Sequence, residues 1–408
     1  MELNLIPPKI IEEILSKTSW SRQELKNKFP INLGRGIPHK NLINYQEIIK
    51  SHHAYWKQYP TGFPTYKALP IFSTNDPNTF RGFAPFVSLI VKKMKTDFNL
   101  IITEKNIITG SNGGFELINF AFDILRSSGY EIGFTNPTFN RGQERILTLT
   151  KNSFFKIKET AKGVDLNLAN QFFKNSKKAL YLVPWGGNPN GSQMSDNDFL
   201  QLCQIAQKNN GKIIADGAYL NLYFNEKDKP QLAKFKEFIL NGTLILMMTA
   251  TKEGGSRGPA FLLTAENSKI FNLAFNTRLS VIYDAQGQFL NYYQSNKYND
   301  FLKKIIRPQL KNCFNSLQKI FNKKVKLSNE NVQAGYNVEV ILPVSSKSIK
   351  AEKFYKKLST FNINTKDSRP FYGKLEKSSF RIPFGGFSVK ENILIAMLIR
   401  QAHKEIFD

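Results

Sequence analysis

Apolar residues recur along this chain at two periods. Stretches such as "NIIT" (106–109), "EIGF" (131–134), "ALYLVP" (179–184), "KIIA" (212–215) and "TLILMM" (243–248) are short and almost continuously apolar. Strands buried on both faces read this way. Between them lie segments with apolar residues three and four apart: "FAPFVSLIVKKM" (83–94), "GFELINFAFDILRSS" (114–128) and "DNDFLQLCQIAQKN" (196–209), the last opening on an aspartate expected to cap it. "SFFKIK" (153–158) adds a further short strand, and "IPPKIIEEILSK" (6–17) starts a helix on its Pro-Pro pair. Buried strands alternating with helices predict an α/β fold, a mostly parallel sheet covered by helices on both faces. The texture changes after about residue 290. A long basic helical segment (296–321), a strand in "YNVEVILPV" (336–344), a helix near 349–359, "SSFRIPF" (378–384) and a final helix predict a smaller α+β domain. The expected division is an N-terminal arm over 1–45 packing on the small domain, a large domain over 46–290 and a small domain over 291–408.

Composition narrows the class. The chain has 408 residues, 41% of them hydrophobic, with 34 Phe and 15 Tyr, enough for a sizeable core. Its net charge of +25 is spread over scattered lysines, with no basic stripe rich in arginine, so nucleic acid is not the expected partner. Cys203 and Cys313 are too few for a disulfide framework, and four histidines without helical i, i+4 spacing give no metal site. With no signal-like leader and no membrane-length apolar run, the expectation is a soluble cytoplasmic protein.

In a parallel sheet, ligands bind beyond the carboxyl ends of the strands. "GSNGG" (110–114) follows one strand and opens a helix, and "TNPTF" ends on Phe139 after the next. "WGGNPNGS" carries Asn188, "DGAY" carries Asp216 and Tyr219, and "TATKEGGSRG" carries Thr249, Lys252 and Arg257. Singly these read as turns, a packing aromatic, a capping aspartate and solvated cations. In this order at successive strand ends they supply what pyridoxal 5'-phosphate requires. Helix-terminal amides and an arginine suit its phosphate. A carboxylate suits the ring nitrogen, and a lysine suits the aldehyde.

On these motifs the chain resembles the class I/II aminotransferases, fold-type I pyridoxal phosphate enzymes, from about "INLGRGIP" (31–38) to the C-terminal helix. The family's Asn-Pro-Thr-Gly appears as "NPNG", its Asp-x-Ala-Tyr as "DGAY" and its Ser-x-Ser-Lys as "TATK". The resemblance implies a fold-type I transferase of two domains. It makes Lys252 the Schiff-base lysine and Asp216 the partner of the ring nitrogen. Asn188 and Tyr219 then donate to the phenolic oxygen. Gly110, Ser111, Asn112 and Thr249 belong to the phosphate site, and Phe139 stacks on the ring. Arg381 in "SSFRIPFGG" grips the substrate α-carboxylate, with Gly36 also on the substrate side. Arg257 is the candidate phosphate arginine, although it follows Lys252 by five residues, a shorter interval than the family's. Where the family has a tyrosine serving the neighbouring subunit, this chain has Pro77; Tyr66 and Phe80 lie nearby in sequence, and Arg35 and Arg278 are further pocket candidates. The implied activity is transamination between an L-amino acid and a 2-oxo acid by a homodimer. Decarboxylases, lyases, cyclases and oxidases share these residues, and a non-catalytic ligand- or nucleic-acid-binding protein on the same fold is the alternative of another class.

Overall fold

The computed structural model describes residues 3–34, 36–60, 81–110, 113–150, 155–174, 177–254, 259–266, 283–365, 367–372 and 376–408. A two-residue strand, β1 (Ile31–Asn32), precedes the strands of the main sheet. These are β2 (Ile107–Gly110), β3 (Glu131–Asn136), β4 (Lys156–Thr160), β5 (Gly163–Val164), β6 (Lys178–Leu182), β7 (Lys212–Asp216), β8 (Leu244–Thr249) and β9 (Ala260–Leu263). They lie in the order β2-β9-β8-β7-β6-β3-β4-β5. The pairs β4–β3, β3–β6, β6–β7 and β7–β8 are parallel, whereas β8–β9 and β9–β2 are antiparallel. Two reversals restore direction, so β2, β3, β6, β7 and β8 all end on the same edge of the sheet.

Why the strands read as continuous apolar runs is plain from their burial: every residue of β2, β6 and β8 is buried. Successive side chains point to opposite faces. Ile214, Ile245 and Met247 therefore pack with Leu117 and Phe122 of helix Gly114–Ser127. Ile213, Leu244 and Leu246 pack on the other side with Phe199 and Leu202 of helix Asp196–Lys208. The cap of that second helix corrects the sequence reading. Ser195, not Asp196, is the N-cap, and its Oγ accepts the Asp198 amide at 3.1 Å. Asp196 lies inside the first turn, where its carboxylate accepts the Gln231 amide at 3.0 Å.

The C-terminal part holds β10 (Lys326–Leu327), β11 (Val338–Ser345), β12 (Ile363–Asn364) and β13 (Lys377–Ile382). β10, β11 and β13 form an antiparallel sheet that places Glu339 opposite Arg381. β12 instead pairs in parallel with β1, Ile31 opposite Ile363. Helix Pro8–Thr18 packs on the final helix, Val389–Phe407, and Arg400 reaches Glu13 at 3.2 Å. The basic segment over 296–321 is not one regular helix. A π turn at Leu302–Ile306 separates Asn296–Phe301 from Arg307–Phe321, with the Arg307 amide bonded to the Leu302 carbonyl five residues back. Pro308, which offers no amide hydrogen, follows at once.

Candidate active site

The common edge of the strands opens into a cavity of ≈ 790 Å³. β8 delivers Thr249, and the chain then turns at once into the short helix Thr251–Gly254. Thr249 Oγ1 accepts the Thr251 amide at 3.2 Å and lies 2.8 Å from Thr251 Oγ1, so both hydroxyls crowd one wall. This turn aims Lys252 back into the cavity, where Nζ donates to the Gly36 carbonyl at 2.8 Å. The Lys252 carbonyl is held by Tyr336 Oη at 2.7 Å. The next residue, Glu253, is buried and accepts from Asn221 Nδ2 at 2.8 Å and from the Tyr298 hydroxyl.

From β7 comes Asp216, whose carboxylate accepts Tyr181 Oη at 2.9 Å and the Ala218 amide at 3.0 Å. No described cation lies within ion-pair distance of it. Burial pushes its pKa up to about 6, against the two hydrogen bonds and the charge of Lys252. Burial is also the main reason the Lys252 pKa is lowered; the Arg381 charge adds to this and Asp216 opposes it. Tyr219 is raised by burial, with Arg381 the leading opposing influence. Arg381 donates to Asn188 Oδ1 at 3.0 Å and to the Gly34 carbonyl at 3.1 Å, and stands 5.2 Å from the centre of the Phe371 ring.

Helix Gly114–Ser127 begins on the same wall. Gly113 takes φ +82°, and a Cβ on Gly114 would stand 2.3 Å from Met247 Sδ, so only glycine brings this helix start so close to β8. Of the residues expected at the site, Lys252, Asp216, Tyr219, Asn188, Thr249, Phe139, Arg381 and Gly36 all line the cavity. Gly110 does not line it; it is buried at the end of β2, where a Cβ would press on Glu116 and Leu117. Ser111, Asn112 and Arg257 lie outside the described residues, as do Arg35, Tyr66, Pro77, Phe80 and Arg278.

The chain is similar to known proteins over most of its length. The family described as aminotransferase class I and II matches residues 73–395. The chain belongs to that family. Histidinol-phosphate aminotransferase of Methanocaldococcus jannaschii is 24% identical over 76% of this chain and 79% of its own length. An uncharacterised aminotransferase of Saccharolobus solfataricus is 30% identical over 37% of this chain, a match that spans 38% of that relative. Among solved structures, the α-aminoadipate aminotransferase LysN of Thermus thermophilus, complexed with N-(5'-phosphopyridoxyl)-L-leucine, superposes with a TM-score of 0.76. It is 15% identical, with 100% of this chain and 99% of that one covered. An archaeal alanine:glyoxylate aminotransferase gives 0.73 at 19% identity, with both chains fully covered.

Members of this family are pyridoxal phosphate-dependent transferases, and the cavity of this aminotransferase fits that cofactor. Asp216 is a buried carboxylate with no described cation in ion-pair range, a setting that a protonated ring nitrogen would complement. The glycine helix start and the Thr249–Thr251 hydroxyl pair form a donor-rich cradle for an anion. Sequence reasoning missed Tyr181, Thr251, Asn337 and the carbonyls of Gly34 and Gly36. Tyr181 sits mid-strand in an apolar run and reads as core. Thr251 was legible as the second hydroxyl of "TATK". Asn337, which donates to Tyr219 Oη at 3.3 Å, belongs to a segment more than a hundred residues away.

Proposed function

We propose that this aminotransferase transfers the amino group of an L-amino acid to a 2-oxo acid with Lys252 as its central base. Pyridoxal phosphate, when bound, supplies an aldehyde to take up amino groups and a ring to accept the electron pair left at the substrate Cα. Lys252 Nζ holds the aldehyde and, once free, takes and returns the Cα proton; its lowered pKa keeps the amine available as a base closer to neutral pH. Asp216 would accept the ring N–H, while Asn188 and Tyr219 would donate to the phenolic oxygen. Thr249, Thr251 and the helix start at Gly113–Gly114 hold the phosphate. Phe139, which lines the cavity, would stack on the ring. Arg381 presents its guanidinium fork to the α-carboxylate of the substrate. The carbonyls of Gly34 and Gly36 fix the resting positions of Arg381 and Lys252.

One observation carries this reading: Lys252, Asp216, Tyr219, Asn188 and Arg381, spread over 194 positions of sequence, line one cavity. The test is an absorption spectrum of the purified protein with amino acids added. A visible band that shifts with substrate and is missing from Lys252→Ala is expected, together with amino transfer to pyruvate or 2-oxoglutarate. Lys252→Ala should lose turnover by roughly 10²- to 10⁴-fold or more while keeping its far-UV dichroism. Retained turnover would sink the mechanism.

The proposal extends to a homodimer in the cytoplasm. Tyr45, Ile49 and Trp56 are 54%, 50% and 40% exposed along helix Tyr45–Gln58, at helical spacings that share one face. An uncovered apolar stripe of that kind suits burial against a second copy. Cys203 and Cys313 are buried free thiols, which fits a reducing compartment.

A further inference from the structure

A second cleft of ≈ 600 Å³ lies between the segment around His39, helix Arg307–Phe321 and the start of helix Val389–Phe407. Lys28, Lys40, Lys304 and Lys390 line it, and Trp20 forms one wall. Glu391 is the acidic lining residue, and its charge is already engaged by Lys28 at 3.5 Å, His39 Nε2 at 3.4 Å and the Ser388 amide at 2.8 Å. Lys304 pairs with Asp300 at 2.9 Å. Glu24, whose carboxylate feels Lys390, caps its own helix through Ser21. The side-chain ammonium groups of Lys40 and Lys390 make no hydrogen bond or ion pair with any described residue, and the side-chain amides of Asn41, Gln309 and Asn312 in the same cleft are likewise uncommitted. A capping box already engages the amides of Ser388 and Glu391, and the lysine side chains supply the formal positive charge of the cleft.

Like charges gathered in a concave surface focus a positive field. The cleft is also joined to the catalytic cavity by a short run of chain. Residues 39–41 line the cleft, and His39 is fixed by its amide to the Gly385 carbonyl at 3.0 Å. Three residues earlier, the Gly36 carbonyl receives Lys252 Nζ.

We propose that this cleft binds a small multivalent oxyanion, a phosphate ester or a polycarboxylate, and that residues 36–41 carry its occupancy to the catalytic cavity. The relay, unlike the binding site, rests on the role proposed for Lys252. The experiment uses holoenzyme saturated with pyridoxal phosphate, so that the cofactor's own phosphate locus is filled. Inorganic pyrophosphate and, separately, citrate are titrated by calorimetry at constant ionic strength. A single saturable site per chain is expected, weakened about tenfold in K40E/K390E, whose two exposed positions lie outside the catalytic cavity. The tighter of the two probes identifies the phosphate or the carboxylate source. Occupancy should also shift the KM for the amino acid in wild type but not in K40E/K390E. Absence of saturation, equal affinity in the double variant, or full displacement by chloride at matched ionic strength (an adventitious ion only) would overturn the site. Saturable binding with an unmoved KM would overturn the relay.

Discussion

Asp216 is the residue whose protonation is most sensitive to a cation placed beside it. The folded chain keeps a proton on it up to about pH 6, whereas an unfolded aspartate gives it up near 3.8. Between those values the folded state binds more protons, so this group's contribution to stability falls as pH rises through that window. Cofactor-free Asp216→Asn, with no charge to desolvate, should therefore gain on wild type from about pH 4 to about pH 7, by on the order of 3 kcal/mol. Thermal melts across that range check this, and a pH-independent difference would contradict the protonated carboxyl. Adding pyridoxal phosphate to wild type should remove the advantage, because a cationic ring nitrogen makes the charged carboxylate the favoured form. The position of Asp216 was legible in "DGAY" at a strand end. Its partner Tyr181 was not, because a tyrosine inside an apolar strand looks the same whether its hydroxyl serves a site or a core.

At the scale of elements, the site depends on two glycines from distant segments touching backbone to backbone. A Cβ on Gly335 would lie 2.8 Å from the Gly186 carbonyl oxygen, and one on Gly186 would lie 2.9 Å from Gly335 Cα. Both adopt positive φ, at +87° and +66°. No rotamer relieves a clash with backbone. Gly335→Ala should therefore cost about 1–3 kcal/mol in denaturant melts. It should also weaken cofactor retention, since it displaces Tyr336 from Lys252 and Asn337 from Tyr219. Unchanged stability and retention would show that the two segments can part without loss. The strands, most helices and the gathering of strand-end residues on one edge were readable from hydrophobic period and turn residues. This contact was not, for a glycine in a loop announces a turn and is silent about what lies across from it. The same limit explains Ser195: serine and aspartate both cap helices, and only the geometry shows which oxygen takes the amide.

For the whole molecule, the stripe of Tyr45, Ile49 and Trp56 sets an expectation for assembly. Sedimentation equilibrium should give twice the 46.7 kDa chain mass, and Ile49→Asp should raise the dissociation constant roughly tenfold or more. An Ile49→Asp protein that sediments like wild type would move the interface elsewhere. The pairing of β1 with β12 has a different consequence, one of timing. Ile31 finds its strand partner at Ile363, and the helix at 8–18 packs on the helix at 389–407. During synthesis these elements must wait for partners more than three hundred residues further along. Gly34 and Gly36, which hold Arg381 and Lys252, sit just beyond β1 and wait with it. A nascent or C-terminally shortened chain can thus build its parallel sheet long before it can close the catalytic cavity.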